Sequence, residues 1–430
     1  MTSAMNYIET LTQVAKQRED TSDTQWLAGF RRSQLDKAAA KGFPTRKTEH
    51  FKYNNLTALS AQDLSKLIAQ PAATAELPIL CDSLNFARLV IIDGQLSPEL
   101  SHGYEQWVTA FAEANAEQQA FILELLEKNQ SEKNVFSQLN NALTHKGYLV
   151  DFATSENSTS LHVVYISTAA AQASSQHEQL VVKLPANQEA TLIEHFVSQG
   201  EDLGLRQQSS HFSIGDNAKL NHYRLHLEDE NHIHFGENNV WLNRDSQLNS
   251  FHLALGSKIK RIDINAIHQA NGSHAEINGL YLARGKQQVD YHTNIEHRVA
   301  NCTSNEVFRG LIGGSAKGVF NGRIHIYADA QKTLAEMSNK NLLLSNKAEI
   351  NTKPELEIYA DDVRCAHGAT VAQMDKKAMF YLLSRGIPKQ QAELMLSFGF
   401  VNELLNDLSL EQVADYLMPI LTAFFNEATA

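Results

Sequence analysis

AKGVFNGRIHIYADAQKTLAEMSNKNLLLSNKAEINTKPELEIYADDVRCAHGATV, residues 316–371, carries the pattern on which the fold turns. Twice within it, at 316–328 and 347–360, a small or polar turn leads to an apolar residue, an asparagine and a run alternating polar with apolar side chains. Three further copies lie upstream: NAKLNHYRLHL (217–227), DSQLNSFHLAL (245–255) and SHAEINGLYLA (273–283). Asn221, Asn249, Asn278, Asn321 and Asn351 mark the five copies at intervals of 28, 29, 43 and 30 residues, the range of stacked repeats with one longer gap. A period of two places successive side chains on opposite faces, so a single copy cannot bury a face alone. Stacked copies form a parallel solenoid with alternate side chains in a narrow core and turn residues at the corners. The expected fold is mainly β with helical ends: a parallel β-helix core flanked by N-terminal and C-terminal helical domains. A β-sandwich also alternates, but hairpin turns of the Asn-Gly kind are not regularly placed here.

Outward from the core, helical periods return on both sides. Trp26, Leu27, Phe30 and Leu35 recur at helical spacing between Ser22 and Lys41, with Ser22 or Asp23 as N-cap and Gly42-Phe43-Pro44 as the stop. Residues 118–129 and 135–145 read as helices, and Leu89-Val90-Ile91-Ile92 before Asp93-Gly94 reads as a buried strand. ATSENSTS, 153–160, is the expected linker, and the texture changes there to short alternating segments. After Thr370, Asp375 is placed to cap a helix that stops at Gly386, and Pro388 fits the first turn of a second. Ser409 with Gln412 resembles a capping box for a third, which Pro419 is expected to bend or end. The expected domains are residues 1–150, mostly helical; 151–370, the β-helix; and 371–430, helical.

The 430 residues, 43% of them apolar, suffice for two or three domains. Only Cys81, Cys302 and Cys365 are present, an odd and scattered set that argues against a disulfide framework and for a reducing compartment, with the cytoplasm as the expected location. The first twenty residues mix polar with apolar positions and read as a helix of the mature chain rather than a secretory signal or a membrane span. A formal charge of −12 offers no basic field for nucleic acid.

The sharpest local feature is DDVRCAHGATV, 361–371. On an extended strand Cys365 and His367 face the same way, a thiol beside an imidazole. Such a pair suits iron, zinc or a sulfur-bearing intermediate, yet two ligands are too few for a closed tetrahedral site, so a partner chain or a labile ion must complete it. A Cys packed in the core with His367 on a backbone carbonyl is the bland alternative. The pairs His222/His226, His232/His234 and His292/His297 lack a nearby Cys, and Glu228 and Asp229 beside them are typical of a solvated turn, so these histidines read as structural or surface groups. Cys81 and Cys302 have no close His or Lys in sequence and read as structural. No phosphate-loop motif, dinucleotide fingerprint, G-x-S-x-G elbow or H-E-x-x-H helix is present, so nucleotide hydrolysis belongs elsewhere and no catalytic residue is assigned.

Three stretches together resemble the SufB/SufD family of iron-sulfur cluster assembly proteins. GFPTRKTEHFKYNNLTAL, 42–59, is similar to the family's N-terminal signature through Gly42, Pro44, Thr45, Glu49, Lys52 and Tyr53, with Phe51 where that signature usually has tryptophan. Residues 306–371 resemble the family core throughout, and FYLLSRGIPKQQAELMLSFGF, 380–400, resembles the C-terminal helical domain that holds the ATPase SufC. The ending Cys-x-His-Gly-Ala-Thr is similar to the SufD branch rather than the SufB branch. The resemblance implies a right-handed parallel β-helix and a non-catalytic scaffold in a SufBCD complex, with SufB and SufC as partners or a homodimer when isolated. It further implies a transient iron-sulfur cluster shared with SufB, no cofactor held tightly by this chain alone, and ATP handled only through SufC. Carried over, His367 matches the histidine implicated at the SufB interface, and Cys365 its neighbouring cysteine.

Two other classes stay open at this stage. A carbohydrate-active β-helix enzyme would use Asp361 and Asp362 as an acid-base pair, but neighbours on a strand face opposite ways. A stand-alone iron-binding protein would hold iron without a partner.

Overall fold

The computed structural model describes residues 11, 13–15, 24–56, 59, 72, 74–128, 134–154, 159–168, 174–199 and 204–428. Its centre is a β-solenoid built from two long sheets, one of ten strands and one of nine. The chain alternates between them, so from Ser175–Leu184 onward each strand pairs in parallel with the strand two earlier in sequence. The stacking is in register: Lys219–Leu227 lies on Gln247–Leu255, which lies on His274–Ala283. The expected solenoid is therefore present. The longer gap in the asparagine series has a geometric cause, since Asn221, Asn249 and Asn278 belong to the ten-stranded sheet and Asn321 and Asn351 to the nine-stranded one.

Corners recur with the rungs. Where a strand of the nine-stranded sheet leads into the next strand of the other, one residue takes a positive φ: Asn187, Asn217, Asp245, Gly272, Asn301 and Lys332. Asn and Asp tolerate this left-handed geometry better than most residues. Gly272 is required for a second reason, because a Cβ there would stand 2.0 Å from Asp245 Oδ1 of the preceding corner. Ser246, Ser273 and Thr333 each donate a hydroxyl to a carbonyl three residues earlier. Cys302 holds the equivalent place in its turn, its thiol lying 3.4 Å from Ala270 O.

Inside, aromatic side chains close the core: Tyr165 stacks on Phe196 at 4.6 Å, and Phe308 packs between Tyr291 and Phe320 at 5.2 and 5.1 Å. Each fully buried ring of this size contributes roughly 2–3 kcal/mol.

Helices cover the outer faces. α1 (Ala28–Lys41), α2 (Ala116–Lys128) and α3 (Val135–Leu143) precede the long run of rungs. α3 is buried along its whole length against the nine-stranded sheet, with Phe136 stacked on Phe235 at 3.9 Å. Ala87–Ile92 and Lys146–Asp151 already pair with solenoid strands, so the N-terminal part supplies the first rungs as well as helices. The expected Ser22 or Asp23 cap, most of the first twenty residues and half of the 153–160 linker lie outside the described residues.

α4 (Lys376–Leu383), α5 (Lys389–Asn406) and α6 (Glu411–Ala428) follow the last strand. Asp375 caps α4 through Lys377 N–H, as its position predicts, and Gly386 follows with φ 78°. One expectation needs correction. The start of α6 is held by the solenoid rather than by a Ser409/Gln412 box: Leu410 N–H donates to the Tyr223 hydroxyl at 3.2 Å, and Ser409 Oγ lies 2.6 Å from the same oxygen. Of the two outcomes expected at Pro419, ending is excluded, since α6 runs through it to Ala428. No helix among the described residues is long and apolar enough to cross a membrane.

α5 and α6 bury Val401, Leu404, Leu405, Val413, Leu417 and Leu421 against Leu225, Leu253, Leu280, Leu282 and Leu311 on the outer face of the ten-stranded sheet. A chain cut after residue 373 would expose that sheet face. The expected outcome is aggregation, measured by size exclusion and light scattering; a monodisperse truncated solenoid would contradict this packing argument.

Candidate functional site

The solenoid ends on two open edges. Among the described residues, Arg364–Gln373 closes the ten-stranded sheet and pairs only with Leu334–Leu343, and Glu349–Ile358 closes the nine-stranded sheet and pairs only with Lys317–Ile326. Both leave a row of backbone donors and acceptors without a strand partner, the usual template for adding another chain. Tyr359, Ile358 and Val371 stand exposed beside these edges.

Register fixes which side chains face inward there. Cys365 lies over Ala335, His367 over Met337 and Ala369 over Asn339, and Ala335, Met337 and Asn339 are all buried core positions. Cys365 and His367 therefore share a face, as the period of two predicts, and that face is the core row. His367 is exposed only because no further rung covers it. Cys365 is half-buried against the core; burial pushes its thiol up from the ordinary value, and the Ala335 backbone N–H partly offsets this. The end thus presents an imidazole and a proton-bearing thiol at the mouth of the solenoid, with no third ligand from the described residues of this chain.

The remaining histidine pairs resolve differently. His222 is enclosed between Glu194 Oε1 at 3.0 Å and Ser250 Oγ at 2.8 Å, and the Arg224 guanidinium lies 2.7 Å from the same Glu194 oxygen. Burial alone would raise the Glu194 carboxyl, but Arg224 and His222 outweigh it and hold it down at about 2. His292 faces outward, 3.0 Å from Asp290, whereas His297 faces inward and meets Ser304 Oγ at 2.9 Å.

His226, Glu228 and His234 do converge, their ligand atoms lying within 4.8 Å of one another. This corrects the reading of Glu228 as part of a solvated turn: it is buried and ion-paired to Lys260 at 2.8 Å. Burial opposes its ionisation, but Lys260 and His234 hold the carboxyl well below the usual range. Arg224 Nε donates to His226 Nε2 at 3.1 Å, so neutral His226 carries its proton on Nδ1, the nitrogen turned towards Glu228. The ammonium already supplies the positive charge a metal would bring, and the group reads as an internal ion pair.

The cysteines have histidine neighbours that sequence distance hides. Cys81 Sγ lies 3.9 Å from His162 Nδ1, although 81 residues separate them, and burial raises its thiol to about 11. Cys302 reaches His268 through Ser273 Oγ, at 3.4 and 2.7 Å.

Two features were not assigned from sequence. Residues 42–56 fold onto the outer face of the nine-stranded sheet: Phe51 lies under the Arg261 guanidinium at 4.3 Å, and Asn54 donates to Asp290 at 2.8 Å. Together they wall a polar cleft of about 310 Å³ lined by His50, Arg261, Asn265, His292, Asn294 and Arg323, where Arg261 is paired with Asp263 and Arg323 with Glu357. The second is Glu306, fully buried on the inward row directly behind Met337. Neither of its oxygens has a full hydrogen-bond partner. Burial raises its carboxyl to about 8, with a small opposing effect from Thr293.

Residues 165–400 match the family model described as the SUF system FeS cluster assembly, SufBD core domain. The chain is 32% identical over 389 residues to the iron-sulfur cluster assembly protein SufD of Escherichia coli, covering 88% of this chain and 89% of that protein. It is 28% identical over 399 residues to an iron-sulfur cluster assembly SufBD family protein of Synechocystis sp., covering 89% and 88%. A third relative, the SufD of Bacillus subtilis, is 33% identical over 151 residues, 35% of each chain.

The Glu306 environment sets a pH dependence. Its carboxyl titrates near 4.5 when unfolded and near 8 when folded. A raised folded value means that its stabilising contribution is complete below about pH 4.5 and is lost as pH rises through 8. At 1.36 kcal/mol per unit, the loss reaches on the order of 5 kcal/mol. Glu306→Gln is expected to remove this slope, so the stability difference between the two chains should shift in the variant's favour from pH 5 to pH 8 and then level off. Denaturant unfolding at each pH measures it, and parallel curves would contradict the isolation of this carboxyl.

Proposed function

Because the chain belongs to the SufBD family of iron-sulfur cluster assembly proteins, we propose that it is a non-catalytic scaffold subunit that joins a SufB-type chain edge to edge and presents His367 to a cluster assembled between them. The observation that carries this reading is the open end of the solenoid, where unpaired edge strands, exposed Tyr359, Ile358 and Val371, and the inward row bearing His367 and Cys365 occupy one surface. A partner strand added there would satisfy the free backbone groups and bring its own ligands against His367. A stable interface of this kind buries at least about 1,000 Å².

Iron and sulfide are cargo in this scheme. The imidazole of His367 supplies a nitrogen donor, while Cys365, with its thiol pushed up by burial, plays a secondary part. ATP chemistry belongs to a SufC-type partner, since the sequence has no phosphate loop. The docking surface proposed for it is α4, none of whose residues is buried and which exposes Phe380, Tyr381 and Leu383. The intact scaffold is proposed to work in the cytoplasm. The stand-alone iron-binding reading is disfavoured because the described chain brings only two ligands to the mouth.

His367→Ala is expected to leave the fold and the three-protein complex intact, because an exposed side chain contributes little to its own domain's packing. Cluster yield in reconstitution, followed by visible absorbance, should drop tenfold or more, with a smaller loss for Cys365→Ser. A normal yield from the His367→Ala complex removes the residue from the mechanism. Independently, Phe380→Ala with Tyr381→Ala is expected to weaken SufC binding tenfold or more in pull-down titrations without changing the melting temperature; unchanged SufC affinity moves its docking site off α4.

A further inference from the structure

Glu306, Met337 and His367 occupy successive rungs of one inward row. With strands about 4.8 Å apart, Glu306 lies roughly 10 Å behind His367 with Met337 between them. The facing row in the other sheet runs Thr293, Gly322, Pro354. Gly322 makes room for the thioether, since a Cβ there would lie 2.5 Å from Met337 Sδ. An unbranched, adaptable side chain therefore separates a buried carboxyl from the mouth of the solenoid.

No described residue around Glu306 balances a charge. Ser304 and Phe308 flank it on its own strand, Ile277 and Met337 adjoin it on the neighbouring strands, and Thr293 and Tyr291 come from the opposite sheet. None of these is charged at neutral pH, and Glu306 has no ion pair among the described residues. The other carboxylates buried inside the solenoid contrast with it: Glu178, Glu194 and Glu228 lie against Arg206, Arg224 and Lys260. An isolated buried acid lowers stability without improving packing, and an isoleucine such as Ile277 one rung earlier serves the core without that cost.

We propose that Glu306 is the charge-compensating group of the His367 site: it keeps its proton while the mouth is empty and releases it to solvent when a metal cation binds His367. The inference rests on the reading of His367 as a ligand. In the step, the carboxyl O–H bond breaks, the proton passes to water, and no electron moves. The resulting carboxylate lowers the local charge by one unit across Met337, in an interior where screening is weak. Cation affinity then gains a pH dependence beyond that of the ligands themselves. Because burial keeps the carboxyl protonated at neutral pH, the proton is available for release.

Cobalt(II), a visible probe, tests this on the full chain, alone and with the SufB-type partner added, with protons counted by titration calorimetry in two buffers of different ionisation enthalpy. At pH 7 the wild-type chain should release more protons per cobalt than Glu306→Gln, by up to one. The variant should bind cobalt about tenfold more weakly at pH 8, with a flatter dependence between pH 7 and 9. Equal proton counts and affinities overturn the inference. A His367→Ala arm separates it from its premise. Loss of cobalt binding in His367→Ala with an unaltered Glu306→Gln chain overturns the role of Glu306 alone. Unchanged binding in His367→Ala, or no binding by wild type under either condition, overturns both. Since Gln replaces an acid that destabilises the folded state at neutral pH, a folding defect is not expected, and a thermal melt of each variant verifies it.

Discussion

The parallel backbone ladder is the interaction on which the rest of this structure depends. A strand in the middle of a solenoid satisfies its N–H and C=O groups only by lying in register between two others, so each rung dictates where the next one's side chains point. That is why Lys219–Leu227, Gln247–Leu255 and His274–Ala283 align residue by residue, and why the left-handed corner residues recur with them. The same rule leaves a remainder. A finite ladder has a last rung, and the hydrogen-bonding groups along its outer edge remain for a partner or for water.

Helices and charges are arranged around that constraint. α3 lies on the outer face of the nine-stranded sheet, and α5 and α6 cover that of the ten-stranded one, so apolar outward residues such as Phe235 and Leu280 are buried as fully as the core. Within the solenoid, Arg224 with Glu194 and Lys260 with Glu228 enter as paired groups supported by hydrogen bonds, which limits the cost of removing them from water. Glu306 breaks this pattern at the third rung from the end, close to the surface that carries His367 and Cys365.

Much of the fold could be read from a period of two and a repeat of about thirty residues. Local sequence also placed Asp375 as the cap of α4 and put Cys365 and His367 on one face. What escaped depends on contacts that only the closed ladder creates. Tyr223 replaces Gln412 at the start of α6 because the helix docks on a strand 186 residues away in sequence. Glu228 looks solvated beside Asp229, but an inward corner position brings Lys260 to it. Cys81 meets His162 only after the turn at Leu80–Ser83 packs on the sheet. The asparagine series keeps its period within a sheet but loses phase when it passes to the other one, a shift no linear spacing explains. Glu306 carried no local signal, since its isolation is a property of the row on which it sits.

His367 follows from the ladder as much as from its own chemistry. The row holding Ile277, Glu306 and Met337 is a core row, and a residue added to it would ordinarily be buried by the next rung. At the terminal rung the core position is built and oriented but left uncovered, so an imidazole there is positioned by the sheet and still open to a ligand. A histidine on an outward row would lie on the sheet's outer face, away from the mouth; one on an inner rung would be enclosed as His222 is, between Glu194 and Ser250. Ending the repeat one rung after Met337 therefore converts an interior position into an exposed, already oriented one without any special loop, and the open strand edge lies on that same surface.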